Sequence, residues 1–129
     1  MSETARYLLA AFLAERRHSP PVSTGQVADA VGRSPSATTE MLQRLESRGL
    51  LTHEPYEGVT LSDEGREAAE QLHESYLVLA RFFRDVLDID DYAEEAMDVA
   101  GTVSPSVAER LSETLLESTG RGVGSATST

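Results

Sequence analysis

Two short helical segments separated by almost nothing constrain this chain more than any other feature. Ser23 or Thr24 caps a helix over Gly25–Val31, with Val27, Ala28 and Val31 at helical spacing. Gly32 supplies a tight turn, Ser34 caps the next helix, and Pro35 stands at its first position, where a missing N–H costs nothing. That helix runs to Arg48, buries Met41, Leu42 and Leu45, and stops at Gly49. The turn between Val31 and Ser34 is short and contains Gly, as in a helix-turn-helix.

The flanking segments complete a pattern. Upstream, a helix over Glu3–Arg17 has an apolar face of Tyr7, Leu8, Ala11 and Phe12, with Glu15 in step, and His18-Ser19-Pro20-Pro21 ends it. Downstream, Leu50–Glu54 and Val59–Leu61 flank Pro55-Tyr56-Glu57-Gly58, a hairpin signature. Ser62 then caps a long helix over Asp63–Leu87, with Gly65 tolerated in its first turn. The stripe of that helix is Ala68, Leu72, Leu79, Phe82, Phe83 and Val86. Asp88-Ile89-Asp90 breaks it, and helices over Asp91–Ala100 and Pro105–Ser118 follow. The expected fold is mainly α: a winged helix-turn-helix domain over 1–62 with a small β-hairpin wing, a linker helix over 63–87, a helical dimerisation region over 88–118, and a Gly/Ser/Thr-rich disordered tail over 119–129.

This order predicts contact with duplex DNA. The second helix of the pair opens Ser34-Pro35-Ser36-Ala37-Thr38-Thr39-Glu40. Hydroxyls at a helix start pair with bases or phosphate, and free N–H groups there favour an anion. The expected DNA-binding residues are Ser34, Pro35, Ser36, Thr38, Thr39 and Glu40, with Arg33, Arg44 and Arg48 flanking them and Tyr56 on the wing. Glu40 fits a cytosine amino group or plain solvent. Glu54 and Glu57 do not favour wing contacts.

Charge qualifies that reading. The formal net charge is −11, and all 11 basic residues are Arg, with no Lys. Residues 1–62 hold six Arg against seven acids, whereas 63–129 hold five against fifteen. Such acidity argues against nucleic acid at low salt. It also suits a salt-in halophile such as a halophilic archaeon, because molar salt shortens the screening length to about 3 Å.

The stretches VSTGQVADAVGRSPSATTEMLQRLESRGLL, HEPYEGVTLSDEGR and EEAMDVAGTVSPSVAERL resemble the diphtheria toxin repressor and manganese transport regulator family, in its short form without a third, SH3-like domain. The resemblance covers nearly all of Ala5–Leu116, and the wing signature E-P-Y-x-G-V-x-L-S-x-E-G-R is its most specific part. It implies a repressor that binds palindromic operators as a homodimer or pair of dimers. The apolar start, read as a folded helix rather than a signal peptide, and the lack of a membrane-length run predict a cytoplasmic location. It also implies activation by manganese or iron, held by carboxylate, His, Cys or Met. Here the corresponding positions are Arg6 and Leu9 in the first helix, Tyr76 and Ala80 in the linker helix, then Ala93, Met97, Ala100 and Gly101. A guanidinium cannot ligate a cation, Ala, Leu and Gly offer no donor, and Met is a weak one. The expectation is therefore no cofactor and a metal-independent regulator. The alternative is a manganese or iron repressor with non-standard ligands.

Val99, Val103, Val107, Leu111 and Leu115 form an apolar surface expected to meet a second copy. The carboxylates Asp88, Asp90, Asp91, Glu94 and Glu95 read as a solvated face. Catalysis finds no support: Cys is absent, the three His stand apart from any triad spacing, and without Lys a P-loop is impossible. No apolar run is long enough for a membrane span. The rival to a DNA-binding regulator is a winged helix used as a protein–protein module.

Overall fold

The computed structural model describes residues 3–128, with side chains over 3–116. The last helix runs to Ser128, past the expected end at Ser118 and through most of the tail expected over 119–129, where side chains lie outside the described residues. The elements are α1 (Glu3–His18), α2 (Thr24–Val31), α3 (Pro35–Ser47), β1 (Leu51–Glu54), β2 (Gly58–Leu61), α4 (Asp63–Asp85), α5 (Tyr92–Ala100) and α6 (Pro105–Ser128). This is the mainly helical winged fold that the sequence predicts. The chain divides into two compact units, Met1–His73 and Glu74–Thr129, so the boundary falls inside α4.

In the first unit α1 is the hub. Tyr7, Leu8, Ala11 and Phe12 are buried as expected, and so are Leu9, Ala10 and Ala14. A helix with an apolar stripe on one side buries only that side. Here α2, α3 and β2 surround α1 and bury it on several sides. Around it pack Val22, Val27, Leu42, Leu45, Leu51, Val59 and Leu61.

Local chemistry fixes the helix starts. Ser23, not Thr24, caps α2: its Oγ accepts from Gln26 N at 3.1 Å, and Gln26 Oε1 accepts from Ser23 N at 2.9 Å. Gly32 adopts the left-handed conformation at φ 68°, and its N–H closes onto Ala28 O. Ser34 caps α3 through Ala37 N, with Pro35 at the first position.

The hairpin pairs Leu51 with Leu61 and Glu54 with Gly58. Val22 joins it as a third, single-residue partner, exchanging hydrogen bonds of 2.9 and 2.8 Å with Val59. Gly58 is required there. Its φ is 126°, and a Cβ at that position would lie 2.0 Å from Val22 O. Gly65, expected to be merely tolerated, is equally tight: a Cβ would lie 1.8 Å from Leu50 O.

In the second unit Leu79, Ala96, Ala100, Ala108 and Leu115 are buried. The long helix ends at Asp85 rather than Leu87, because Asp88 turns the chain at φ 54° and leaves Val86 and Leu87 exposed. Leu115 corrects the expected surface stripe: it is only 5% exposed within the single chain, so it packs inside. Val107 is about half exposed, and Val99, Val103 and Leu111 are half-buried. Among the described residues no helix is long and apolar enough to cross a membrane.

Candidate nucleic-acid interface

Helix α3 presents one face to the core and one to solvent. Thr38, Leu42 and Leu45 are buried, whereas Ser36, Thr39, Glu40, Gln43, Arg44 and Ser47 are exposed. Positions 36, 39, 40, 43 and 47 lie on one side of a helix by its 3.6-residue period, so the exposed set is a continuous stripe. Gln43 belongs to that stripe and was missed in the sequence; counting seven residues on from Ser36 finds it.

Thr38 corrects an expectation. The sequence predicts it among the DNA-contacting residues, but it is fully buried, and its hydroxyl donates to Ser34 O at 2.8 Å. The helical period turns it inward with Leu42 and Leu45, so it supports the start of α3 rather than reaching past it. Thr39 stays exposed, and its hydroxyl donates to Pro35 O at 3.0 Å. Ser34 is exposed although it caps α3. Capping uses a lone pair of its Oγ and leaves the O–H to donate elsewhere.

The flanking arginines differ. Arg33 Nε lies 3.7 Å from Glu3 Oε2, a solvent-exposed ion pair of small worth. Arg44 and Arg48 are exposed, and among the described residues neither guanidinium forms an ion pair. In a chain with 22 acids and 11 Arg, cations left unpaired beside one helix face are notable.

Tyr56 stands fully exposed at the hairpin tip with φ 68°, and Glu57 N closes the turn onto Glu54 O at 3.0 Å. The root of the wing is held more firmly. Glu46 Oε2 accepts from His53 N at 3.1 Å, tying α3 to β1. Glu15 is buried in α1. Its Oε2 accepts from Leu61 N at 2.7 Å, and its Oε1 accepts from Arg66 at 2.6 Å. That hydrogen bond, then the charge of Glu15, raises the Arg66 pKa above the usual guanidinium value. One carboxylate thus joins α1, β2 and α4. In the sequence Glu15 marks only helical spacing; an acid in step with an apolar face, with Arg66 in the wing signature, was the available signal.

Known proteins resemble this chain in sequence and in fold. The sequence model of a family described as the N-terminal DNA-binding domain of iron-dependent repressors matches residues 1–59. A helix-turn-helix-type transcriptional regulator of Methanocaldococcus jannaschii, itself uncharacterised, is 30% identical over 107 residues, which span 81% of this chain and 86% of that protein. The chain belongs to the diphtheria toxin repressor and manganese transport regulator family. It is a DNA-binding transcriptional regulator, and its relatives are regulators rather than enzymes.

Among solved structures, the manganese regulator SloR matches with a TM-score of 0.75 at 25% identity, over 89% of this chain and 54% of its own. A manganese-dependent transcriptional repressor in complex with manganese matches with a TM-score of 0.70 at 29% identity, over 86% and 52%. The chain therefore spans about half the length of these manganese regulators.

The positions that the family resemblance assigns to metal do not fit one here. Leu9 and Ala100 are buried and apolar, Ala80 and Met97 are half-buried, and Ala93 and Gly101 are exposed. Arg6 carries a fixed positive charge and lies 4.0 Å from Glu3. Tyr76 offers only a phenol oxygen. None of the eight supplies a carboxylate or imidazole. Among the described residues no group of three or more His, Asp or Glu gathers as a metal site, the acidic run from Asp88 to Glu95 included.

Proposed function

We propose that this regulator is a metal-independent, homodimeric repressor that reads a palindromic operator through the solvent face of α3. Ser36, Thr39, Glu40 and Gln43 address base edges or sugar-phosphate, Arg44 and Arg48 take phosphates, and the start of α3 at Ser34-Pro35 receives a further phosphate. Tyr56 meets the adjoining backbone from the wing. The observation that carries this reading is the α3 stripe, exposed and polar, beside two guanidinium groups that no acid of the described chain engages.

Metal independence rests on side-chain chemistry. A site that has exchanged its carboxylate and imidazole donors for Arg, Leu, Ala and Gly has no charge to offer a divalent ion. Dimerisation rests on the apolar residues the second unit leaves open, Leu77, Val86, Leu87, Val107 and Leu116. The acidity suits function in molar salt inside a cell, where screening removes most long-range repulsion from DNA.

The test is selection of a duplex from a random pool at molar potassium chloride, followed by titration with and without a chelator. The reading expects one enriched, two-fold symmetric sequence bound equally in both conditions. No enrichment would favour a protein–protein module. Binding lost on chelation and restored by manganese or iron would mean that other residues hold the metal.

A further inference from the structure

A cavity of about 850 Å³ opens beside the last turn of α1, within the volume range of small-ligand sites. Its lining comes from three elements of the first unit: Leu13, Ala14, Arg16, Arg17 and His18 of α1, Gln26, Asp29 and Ala30 of α2, and His73 of α4. In a chain whose acids outnumber its arginines two to one, this wall has two Arg and two His against one acid.

The Arg16 cation is ordered without being neutralised. The Arg16 guanidinium stacks over Phe12, 5.6 Å from the ring centroid. The Phe12 ring lies 5.5 Å from that of His73. One aromatic ring therefore positions a cation on one side and an imidazole on another. Among the described residues neither Arg16 nor Arg17 forms an ion pair, although Asp29 lines the same cavity. The carbonyl of Gln26 is committed to Ser23 N, which leaves its side-chain NH₂ to donate. Leu13, Ala14 and Ala30 supply an apolar portion.

We propose that this cavity binds a small dianion, a phosphate- or carboxylate-bearing metabolite, with Arg16 and Arg17 taking its charge and Gln26 donating to it. The planar guanidinium fork matches the geometry of such anions. A concave site with an apolar wall suits a small molecule better than the convex backbone of a duplex. Asp29 opposes a simple anion and selects for a ligand with a donor group toward it. The cavity touches α2, the helix that leads directly into α3, so an occupant is placed to act as the regulator's signal. That role rests on the DNA-binding reading; the binding itself does not.

Inorganic phosphate is the probe, titrated into the isotope-labelled full chain at fixed ionic strength and followed by side-chain and backbone NMR shifts. The proposal expects saturating shifts at Arg16, Arg17, Gln26 and His73. Affinity should fall at least tenfold in the Arg16→Gln/Arg17→Gln variant, whose exposed positions leave the fold intact, and rise about threefold in Asp29→Asn, which removes a repulsion across water. Shifts that fail to saturate, that chloride reproduces, or that are unchanged in affinity in both variants would overturn it. So would a selected DNA duplex that moves these signals when phosphate does not, since the wall would then serve the DNA backbone.

Discussion

Gly65 stands in the first turn of α4, where helix propensity alone says that alanine is better by about 0.5–1 kcal/mol. The structure reverses that sign, because a methyl group there would lie 1.8 Å from Leu50 O, a carbonyl already bonded to Ser62 N. Gly65→Ala is expected to destabilise the domain by about 2 kcal/mol, within the cost range of forced overpacking, as read from a urea unfolding midpoint. At Arg44 the prediction concerns binding. Arg44→Ala should weaken all duplexes alike and flatten the salt dependence of log K by about one unit, the signature of one lost phosphate contact. A variant that changes the preferred sequence instead would assign Arg44 to a base. The cap and turn residues Ser34, Pro35 and Gly32 were readable in the sequence because each acts on its own neighbours. Thr38 and Gly65 were not, since their roles depend on what packs opposite them.

At the scale of elements, the wing depends on a carboxylate far away in sequence. Glu15 accepts from Leu61 N and from Arg66, fastening β2 and α4 to α1. Glu15→Ala leaves a buried N–H without its acceptor, at a cost of about 1–3 kcal/mol. The Arg66 side chain is 38% exposed and regains water, so its share of the loss is small. Hydrogen exchange should then show Val59–Leu61 opening more often while α2 keeps its protection; uniform loosening would contradict this account. The helices and the hairpin themselves were legible from period and punctuation. The near-complete burial of α1 was not, because its stripe shows one face while three neighbouring elements cover the rest.

At the scale of the whole molecule, the second unit leaves apolar side chains in water. Val107 and Leu116 are 49% and 62% exposed and, nine residues apart, stand on opposite sides of α6. Val107→Asp with Leu116→Asp should convert the proposed dimer to a monomer in sedimentation at molar salt and cost most of the operator affinity, while the first unit stays folded. A monomeric native chain would remove the two-fold symmetry from the account. Leu115, once counted with that surface, is buried in the single chain and should affect stability instead. Composition announced the acidity of this half but not which apolar residues it leaves exposed, since the helical period cannot say whether a stripe meets its own chain or another.

The most direct measurement is an NMR map of backbone amides as the selected duplex is added. The account predicts the largest saturating shifts between Ser34 and Arg48, a second group around Tyr56, and the same map when chelator is present. Shifts confined to α5 and α6, or an α3 that remains silent while the duplex binds, would contradict it.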